Sequence, residues 1–468
     1  MNATDSLGVS VPNASAGFDG LGILHGLLGI AVLLAIAYAF SSNKKAIPWK
    51  AILGGFSLQL ILGFFIIQGD NLRNVFAPLG WVKDAFSIVG KFFVLILNFT
   101  SEGAKFVFGP LGTGSVENIG FVFAFQVLPT VIFFAAFMAL LYYLGIMQRI
   151  VQVMAILMTK VMRTSGAESL CASANIFVGH TEAPLMIKPY LEKLTRSELL
   201  AVMLSGMATI AGGVMAVYVQ VLGTAYAKAT GMGLEQAQVI FATHLLAGSV
   251  MAAPTALVIT KILIPETGTP ETLGKVKVQK EKEQGSFIEA LASGTSDGLK
   301  MSLNIAAMLI AFIAFIAFVN YILESFGWWT GLNYYLRDTY GVLLNFQFVV
   351  GYPLQLIAYV IGVPSADAIH FGSLLGTKTI LNEFVAYTEM AGLIESGKLS
   401  NMKSILMLTY TLCGFASIAS IGIQIGGIGA LVPERKSEIA KLGALALLGG
   451  TITTLITAAV AGIFYSFS

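Results

Sequence analysis

The stretch ASANIFVGHTEAPLMIKPY (residues 172–190) sets Asn175, Gly179, His180, Thr181, Glu182 and Pro184 close together in an otherwise apolar run. An amide, an imidazole, a hydroxyl and a carboxylate in such a setting can recognise a polar ligand, hold an ion or carry a proton. A second carboxylate, Glu383, stands in a similar setting in GTKTILNEFVAY (376–387). A charged group at membrane depth costs ~2.5–3.5 kcal/mol on insertion scales, and it persists where it faces water, a partner or a substrate. Pro184 frees backbone groups nearby, and broken helix ends turn N–H and carbonyl dipoles toward a ligand or ion.

The elements that must hold these groups lie in a membrane. The chain has 468 residues, 56% hydrophobic and 11% charged, with mean hydropathy +0.82. A soluble protein of this length needs more charge to cover its surface. The net charge of +2 gives no reason to expect nucleic acid or an acidic partner. Four histidines without HExxH or CxxC spacing leave no metal signature. Cys171 and Cys413 lie in apolar runs and read as small buried side chains. The first 20 residues are polar and carry no Lys or Arg, so a cleaved signal peptide is not expected. NAT, NAS and NFT match the glycosylation pattern by chance.

Runs long enough to span fall at about 21–41, 51–68, 119–145, 197–222, 236–263, 302–325, 403–430 and 441–466. Residues 69–117 and 146–164 carry charges along apolar faces and read as amphipathic or interfacial helices. With the N-terminus outside, 18 of the 27 basic residues fall on inner segments, which favours both termini outside. Residues 265–285 form the one long hydrophilic loop, expected to be flexible and cytoplasmic.

Two stretches, about 165–195 and about 350–396, are too polar in the middle to cross as single helices. They are too apolar to be exposed loops. Each is expected to form a re-entrant hairpin, tolerated where it lines a watery cavity or is buried in protein. Each precedes a Gly-rich span of shared pattern, GMATIAGGV (206–214) and GFASIASIG (414–422). Three spans separate the hairpins, so they enter from opposite faces. That is an inverted repeat, which points to a transporter with a midplane site.

At these residues the chain resembles the concentrative nucleoside transporters. The motifs that carry the resemblance are RTSGAESLCASANIFVGHTEAPL (163–185), GMATIAGGVMAVY (206–218), MAAPTALVITKILIPET (251–267), GTKTILNEFVAY (376–387) and LCGFASIASIG (412–422). The resemblance implies an all-α polytopic membrane protein with about eight transmembrane helices and two re-entrant hairpins in an inverted repeat. It implies a multi-pass cell (inner) membrane protein, in contact with lipid, that assembles as a homotrimer. Residues 1–164 are then scaffold spans and interfacial helices. Residues 165–264 hold the first hairpin and two spans of a transport domain, 265–299 a cytoplasmic loop and linker, and 300–349 a scaffold span and connector. Residues 350–468 complete the transport domain. The implied base-binding residues are His180, Thr181, Glu182 and Val214. The implied ribose-binding residues are Glu383, Phe415, Ser417 and Ser420. The implied sodium ligands are the side chains of Asn175 and Thr209 and the carbonyls of Val178 and Ile210.

Two positions depart from the usual family pattern. GHTEAP replaces GQTEAP, and GFAS replaces GFAN, so His180 and Ser417 each stand where an amide is usual. A neutral imidazole donates and accepts from opposite ring edges, so it cannot pair with one base edge as an amide does. Purine or pyrimidine preference therefore stays open, and Ser417 reaches ribose only through water. The Asn175 amide oxygen, the Thr209 hydroxyl and two carbonyls form a hard-oxygen set without formal charge, suited to a weakly held monovalent ion. The expected function is sodium-driven nucleoside import. The alternatives are proton coupling on the same fold, with His180 as carrier, and an intramembrane hydrolase built on Glu182 and His180. The last lacks a nucleophile elbow or metal motif.

Overall fold

The computed structural model describes residues 19–113, 122–274, 285–340 and 342–467. The polar segment before residue 19, residues 275–284 of the 265–285 loop and the first residues of the span expected from 119 lie outside the described residues. The rest is helical, and among the described residues the extended pairing is one isolated bridge, Ser165 with Leu273.

The first part of the chain forms α1 (Gly20–Ala39), α2 (Trp49–Ile67), α3 (Gly69–Val75), α4 (Trp81–Phe108), α5 (Pro110–Thr113) and α6 (Phe123–Gln126). It continues into α7 (Leu128–Tyr143) and α8 (Ile146–Met162). The side chain of Asp19 caps α1 by accepting from Gly22 N at 2.9 Å. The two expected amphipathic segments are helices with one buried face. In α4 that face is Gly90, Phe93, Val94, Leu97 and Ala104. In α8 it is Met147, Val151, Ala155, Met158 and Met162, at the three- and four-residue spacing of a helix. Ion pairs Arg73–Asp84 and Lys83–Asp70 tie α3 to α4.

The first hairpin follows: α9 (Gly166–Ala174), a turn, and a 3-10 arm Ala183–Lys193 that contains Pro184 and Pro189. Prolines deny the second arm the hydrogen bonds of an α-helix. Next come α10 (Arg196–Ala208), α11 (Gly212–Thr230) and α12 (Leu234–Leu263). Capping boxes at Ser165/Glu168 and Thr195/Glu198 start α9 and α10.

The second half runs α13 (Phe287–Trp329), α14 (Leu332–Tyr340), α15 (Phe346–Val360), α16 (Ala368–Ile380) and α17 (Glu383–Glu395). It ends with α18 (Met402–Leu412), α19 (Ile418–Leu431) and α20 (Lys436–Tyr465). Its succession parallels the first half: a peripheral helix, an amphipathic or shorter helix, a hairpin, a broken span and a long helix.

The structure corrects four boundaries. Among the described residues seven helical segments are long and apolar enough to cross a membrane. The remaining expected span, 403–430, is divided into α18 and α19, each too short to cross alone. The span expected at 197–222 is likewise divided between α10 and α11. Hydropathy registers the apolar run but not the non-helical backbone inside it. The second hairpin is α16 and α17, narrower than 350–396, because residues 346–360 form the separate helix α15. Gly362, at φ +90°, turns the chain between α15 and α16. The span expected at 302–325 is the middle of the 43-residue α13. Such a helix is roughly 64 Å long at 1.5 Å per residue, about twice the thickness of the hydrocarbon layer.

The α10–α11 pair and α12 form the centre: in the most apolar 18-residue stretch of each, 94% of the residues are buried, against 6% in that of α13. Lipid offers no hydrophobic drive for helix association, so close packing of small residues replaces it. α13 lies along α7 in this way. A Cβ on Gly294 or Gly298 would come within 2.7 Å of the Cα of Ala136 or Ile132. Ile310, Phe318 and Tyr321 point outward, as a hydrocarbon-facing surface requires.

Candidate functional site

The first break separates α10 from α11 at Thr209–Ala211. Thr209 is extended (φ −126°, ψ 166°), and its hydroxyl donates back to Ser205 O at 2.9 Å. The tip of the first hairpin docks here. Gly212 N donates to Phe177 O at 2.9 Å, and Asn175 Nδ2 donates to Ser205 Oγ at 3.1 Å. Asn175, Thr209 and Ile210 are buried, with Val178 half-buried beside them. Asn175 Oδ1 is buried and has no hydrogen-bond partner. A buried acceptor left in that state is costly, and a cation relieves it. Ser205 thus links two of the expected ion-binding residues, Asn175 through its hydroxyl and Thr209 through its carbonyl, and the unpartnered Asn175 oxygen fits a small monovalent ion.

The second break, Cys413–Ser417, separates α18 from α19. Ser417 caps α19 by accepting from Ser420 N at 3.3 Å, and the two hydroxyls are 3.0 Å apart. Phe415 meets His180 edge-on, with ring centroids 5.1 Å apart. His180 also packs on α10, where a Cβ at Gly206 would fall 2.5 Å from its own Cβ. Thr181 covers Gly427 of α19, where a Cβ would fall 2.7 Å from the Thr181 methyl. One hairpin tip thus touches both breaks. His180 Nδ1 is buried without a hydrogen-bond partner. Glu182 stands apart: it is exposed, and its carboxylate folds over Gly179, where any Cβ would lie 2.1 Å from Oε2.

In the second hairpin, Asn382 caps α17 by accepting from Val385 N at 2.9 Å. This places Glu383 in the first turn, where the helix dipole favours a carboxylate. Tyr218 on α11 donates to Glu383 Oε1 at 2.9 Å. The Tyr218 ring lies 4.2 Å from that of Tyr387 and 5.6 Å from that of Phe384. Val214 is one turn before Tyr218 on α11 and is buried. The contact fastens the second hairpin to the broken span of the first half.

Sequence reasoning passed over Tyr218, Tyr387 and Gln424. Tyr218 and Val214, and Tyr387 and Glu383, share faces at i,i+4 spacing, which was the available signal. Gln424 donates to Met203 O at 2.8 Å and leaves Oε1 buried without a partner. A single glutamine in an apolar helix gave no hint of that contact.

Three family profiles match consecutive parts of the chain. The profile for the N-terminus of sodium-dependent nucleoside transporters matches residues 28–111, and that for their C-terminus matches 244–462. A "nucleoside recognition" gate profile matches 124–225. Nucleoside permease NupC of Helicobacter pylori is 36% identical over 94% of this chain and 97% of its own length. Sodium/nucleoside cotransporter 1 of Mus musculus is 38% identical over 93% of this chain and 63% of its own length. The solved structure of CNTnw in an inward-facing substrate-bound state superposes with TM-score 0.81 at 36% identity, covering 95% of this chain and 99% of that one. These relatives are named as transporters and permeases, not enzymes.

Proposed function

The chain belongs to the concentrative nucleoside transporter family, and from that premise we propose that it is a symporter importing nucleosides down a sodium gradient. The observation that carries the sodium reading is Asn175 Oδ1, buried and unpartnered beside the Thr209 break. Asn175 and Thr209 would hold the ion with side-chain oxygens, and Val178 and Ile210 with carbonyls. Neutral oxygens bind such an ion weakly enough to release it inside the cell. With the ion bound, the first hairpin tip is held against the break, and His180 is held against Phe415. Nucleoside binding then depends on the ion, which is what coupling requires.

His180, Thr181, Glu182 and Val214 face the base in this reading, and Glu383, Phe415, Ser417 and Ser420 face the ribose. A carboxylate suits sugar hydroxyls because it accepts charge-assisted hydrogen bonds from either of them. The first half and second half place their hairpins at opposite faces of an inner or plasma membrane, with both termini outside. The hairpins and broken spans move as a transport domain against a scaffold, alternately exposing the site. The outward apolar face of α13 supports contact with lipid and with the copies of a homotrimer.

The competing reading is proton coupling, and one observation favours it: the buried His180 Nδ1 without a partner. Uptake of labelled uridine, cytidine, adenosine and guanosine into proteoliposomes, with a sodium gradient or a pH gradient, separates the two. Accumulation driven by sodium alone is the expected result. Accumulation driven by the pH gradient alone overturns the sodium assignment.

A further inference from the structure

Lys378 lies on α16, in the first arm of the second hairpin, with 0% exposure. Its Nζ donates to Thr411 O at 2.7 Å and to Thr454 Oγ1 at 3.2 Å. Two other buried lysines have carboxylates at hand: Lys261 pairs with Glu168 at 2.7 Å and Lys403 with Asp19 at 3.1 Å. Among the described residues no carboxylate pairs with Lys378 directly: its hydrogen-bond partners are a carbonyl and a hydroxyl, and Glu383 acts on it only from farther away. Removing an ammonium from water without a directly paired counter-ion is expensive. What offsets it here is where that carbonyl sits.

Thr411 is in the last turn of α18, just before the second break. The final carbonyls of a helix have no partners within it and form the negative end of the helix dipole. At α18 all four are taken. Thr409 O accepts from the Tyr387 hydroxyl at 2.9 Å. Tyr410 O and Leu412 O accept from Cys413 N and Gly414 N at 3.2 and 2.8 Å. Thr411 O accepts from Lys378. The ammonium is thus a positive charge set against the carbonyl end of a broken membrane helix.

The same arm of the first hairpin carries Asn175, seven residues before Glu182, as Lys378 is five residues before Glu383. Asn175 brings an unpartnered oxygen to the first break; Lys378 brings a charge to the second. We propose that Lys378 is a tethered cation, fixing the second break as the coupling ion fixes the first, so that only one half of the repeat depends on a mobile ion. It is a positioning residue. It acts on the ligand through Phe415 and Ser417, which follow Thr411 in the break. This inference rests on the sodium reading above for the comparison between the halves, but not for the role of the ammonium.

The test is sodium-dependent nucleoside uptake by the full chain in proteoliposomes, comparing Lys378→Met, Lys378→Ala and Lys378→Arg. Loss of a charged hydrogen bond predicts a nucleoside KM raised by about tenfold or more in Lys378→Met, with partial recovery in Lys378→Arg. In Lys378→Ala the uncovered carbonyl admits a second small cation, and the Hill coefficient for sodium rises by about one. Thr454→Val deletes only the hydroxyl partner and keeps the fold, and a KM rise of about threefold is expected. Unchanged KM and unchanged sodium curves in Thr454→Val and in whichever Lys378 variants assemble overturn the proposal. So does a drop in Tm and maximal rate with KM and sodium dependence intact, since that is a purely structural role. Wild-type uptake indifferent to sodium overturns the sodium reading instead, and the KM values of the Met and Arg variants then decide the role of Lys378 by themselves.

Discussion

At the first break α10 stops at Ala208 and α11 starts at Gly212; at the second, α18 stops at Leu412 and α19 starts at Ile418. Both are short non-helical segments in the middle of an apolar span, and both receive a hairpin. Their broken ends are satisfied differently. At the second, the last backbone carbonyls of α18 are taken by the protein's own groups, among them the Tyr387 phenol and the Lys378 ammonium, although the Thr411 hydroxyl is buried without a partner. The first retains Asn175 Oδ1, buried with no partner. A helix end that is satisfied from within keeps one geometry through a transport cycle. One that needs an added ion changes its stability with that ion's concentration. That asymmetry between two similar halves is what favours the proposed ion site in the first half and the proposed fixed support in the second.

The largest effect that sharpens this contrast is expected at Glu383, where the second hairpin bonds α11 of the first half. Glu383→Gln removes charge-assisted hydrogen bonds worth ~1.5–3 kcal/mol each. Uptake should fall below detection while the protein still inserts and assembles, checked by labelled-nucleoside uptake beside size-exclusion of the purified chain. Near-normal uptake would remove Glu383 from the ligand site.

Breaking the comparison from the other side, Asn175→Ala with Thr209→Ala deletes both side-chain oxygens of the first break. Uptake should lose its response to sodium, read as a flat curve when choline replaces sodium. A double variant that keeps the wild-type sodium curve shows that the ion binds elsewhere.

Tyr218→Phe is a milder probe of the link between the halves. It deletes one hydroxyl 2.9 Å from Glu383 and keeps the ring contacts with Tyr387 and Phe384. A hydrogen bond to a charged group is worth ~1.5–3 kcal/mol, so KM should rise by about tenfold or more with little change in sodium affinity. A sodium affinity that falls in step with nucleoside affinity would show the two breaks to be coupled through Tyr218.

The smallest change in rate, and the most informative about selectivity, is expected from His180→Gln. The ranking of uridine, cytidine, adenosine and guanosine should change across about pH 5.5–8 with sodium coupling intact, because His180 alone among the polar tip residues contacts the second break. An unchanged ranking with loss of pH-driven accumulation makes His180 a proton relay.

Much of this architecture is written in local patterns. Long apolar runs with few charges specify spans regardless of context, because an unpaired charge in hydrocarbon is costly wherever it falls. Charge along one face marked α4 and α8 as amphipathic. Pro184 and a carboxylate between apolar residues marked the first hairpin. The pairing of GMATIAGGV with GFASIASIG marked the two repeated spans, but not that the helix is broken inside each.

What the chain's linear order left undecided is how each polar group is satisfied. Lys378 and Thr411 are 33 residues apart, and Tyr218 and Glu383 are 165 apart. No periodicity links such positions. Whether a buried oxygen acquires a partner depends on which helix end the folded hairpin reaches. The extent of α13 was hidden for a related reason: its first turns are amphipathic, and only their packing of Gly294 and Gly298 on α7 extends the span into one helix. The residue types and membrane spans followed from the sequence because burial in lipid is a local constraint. Which polar groups at the two breaks acquire partners was decided only in tertiary structure, because hydrogen-bond satisfaction at a helix end depends on a distant side chain.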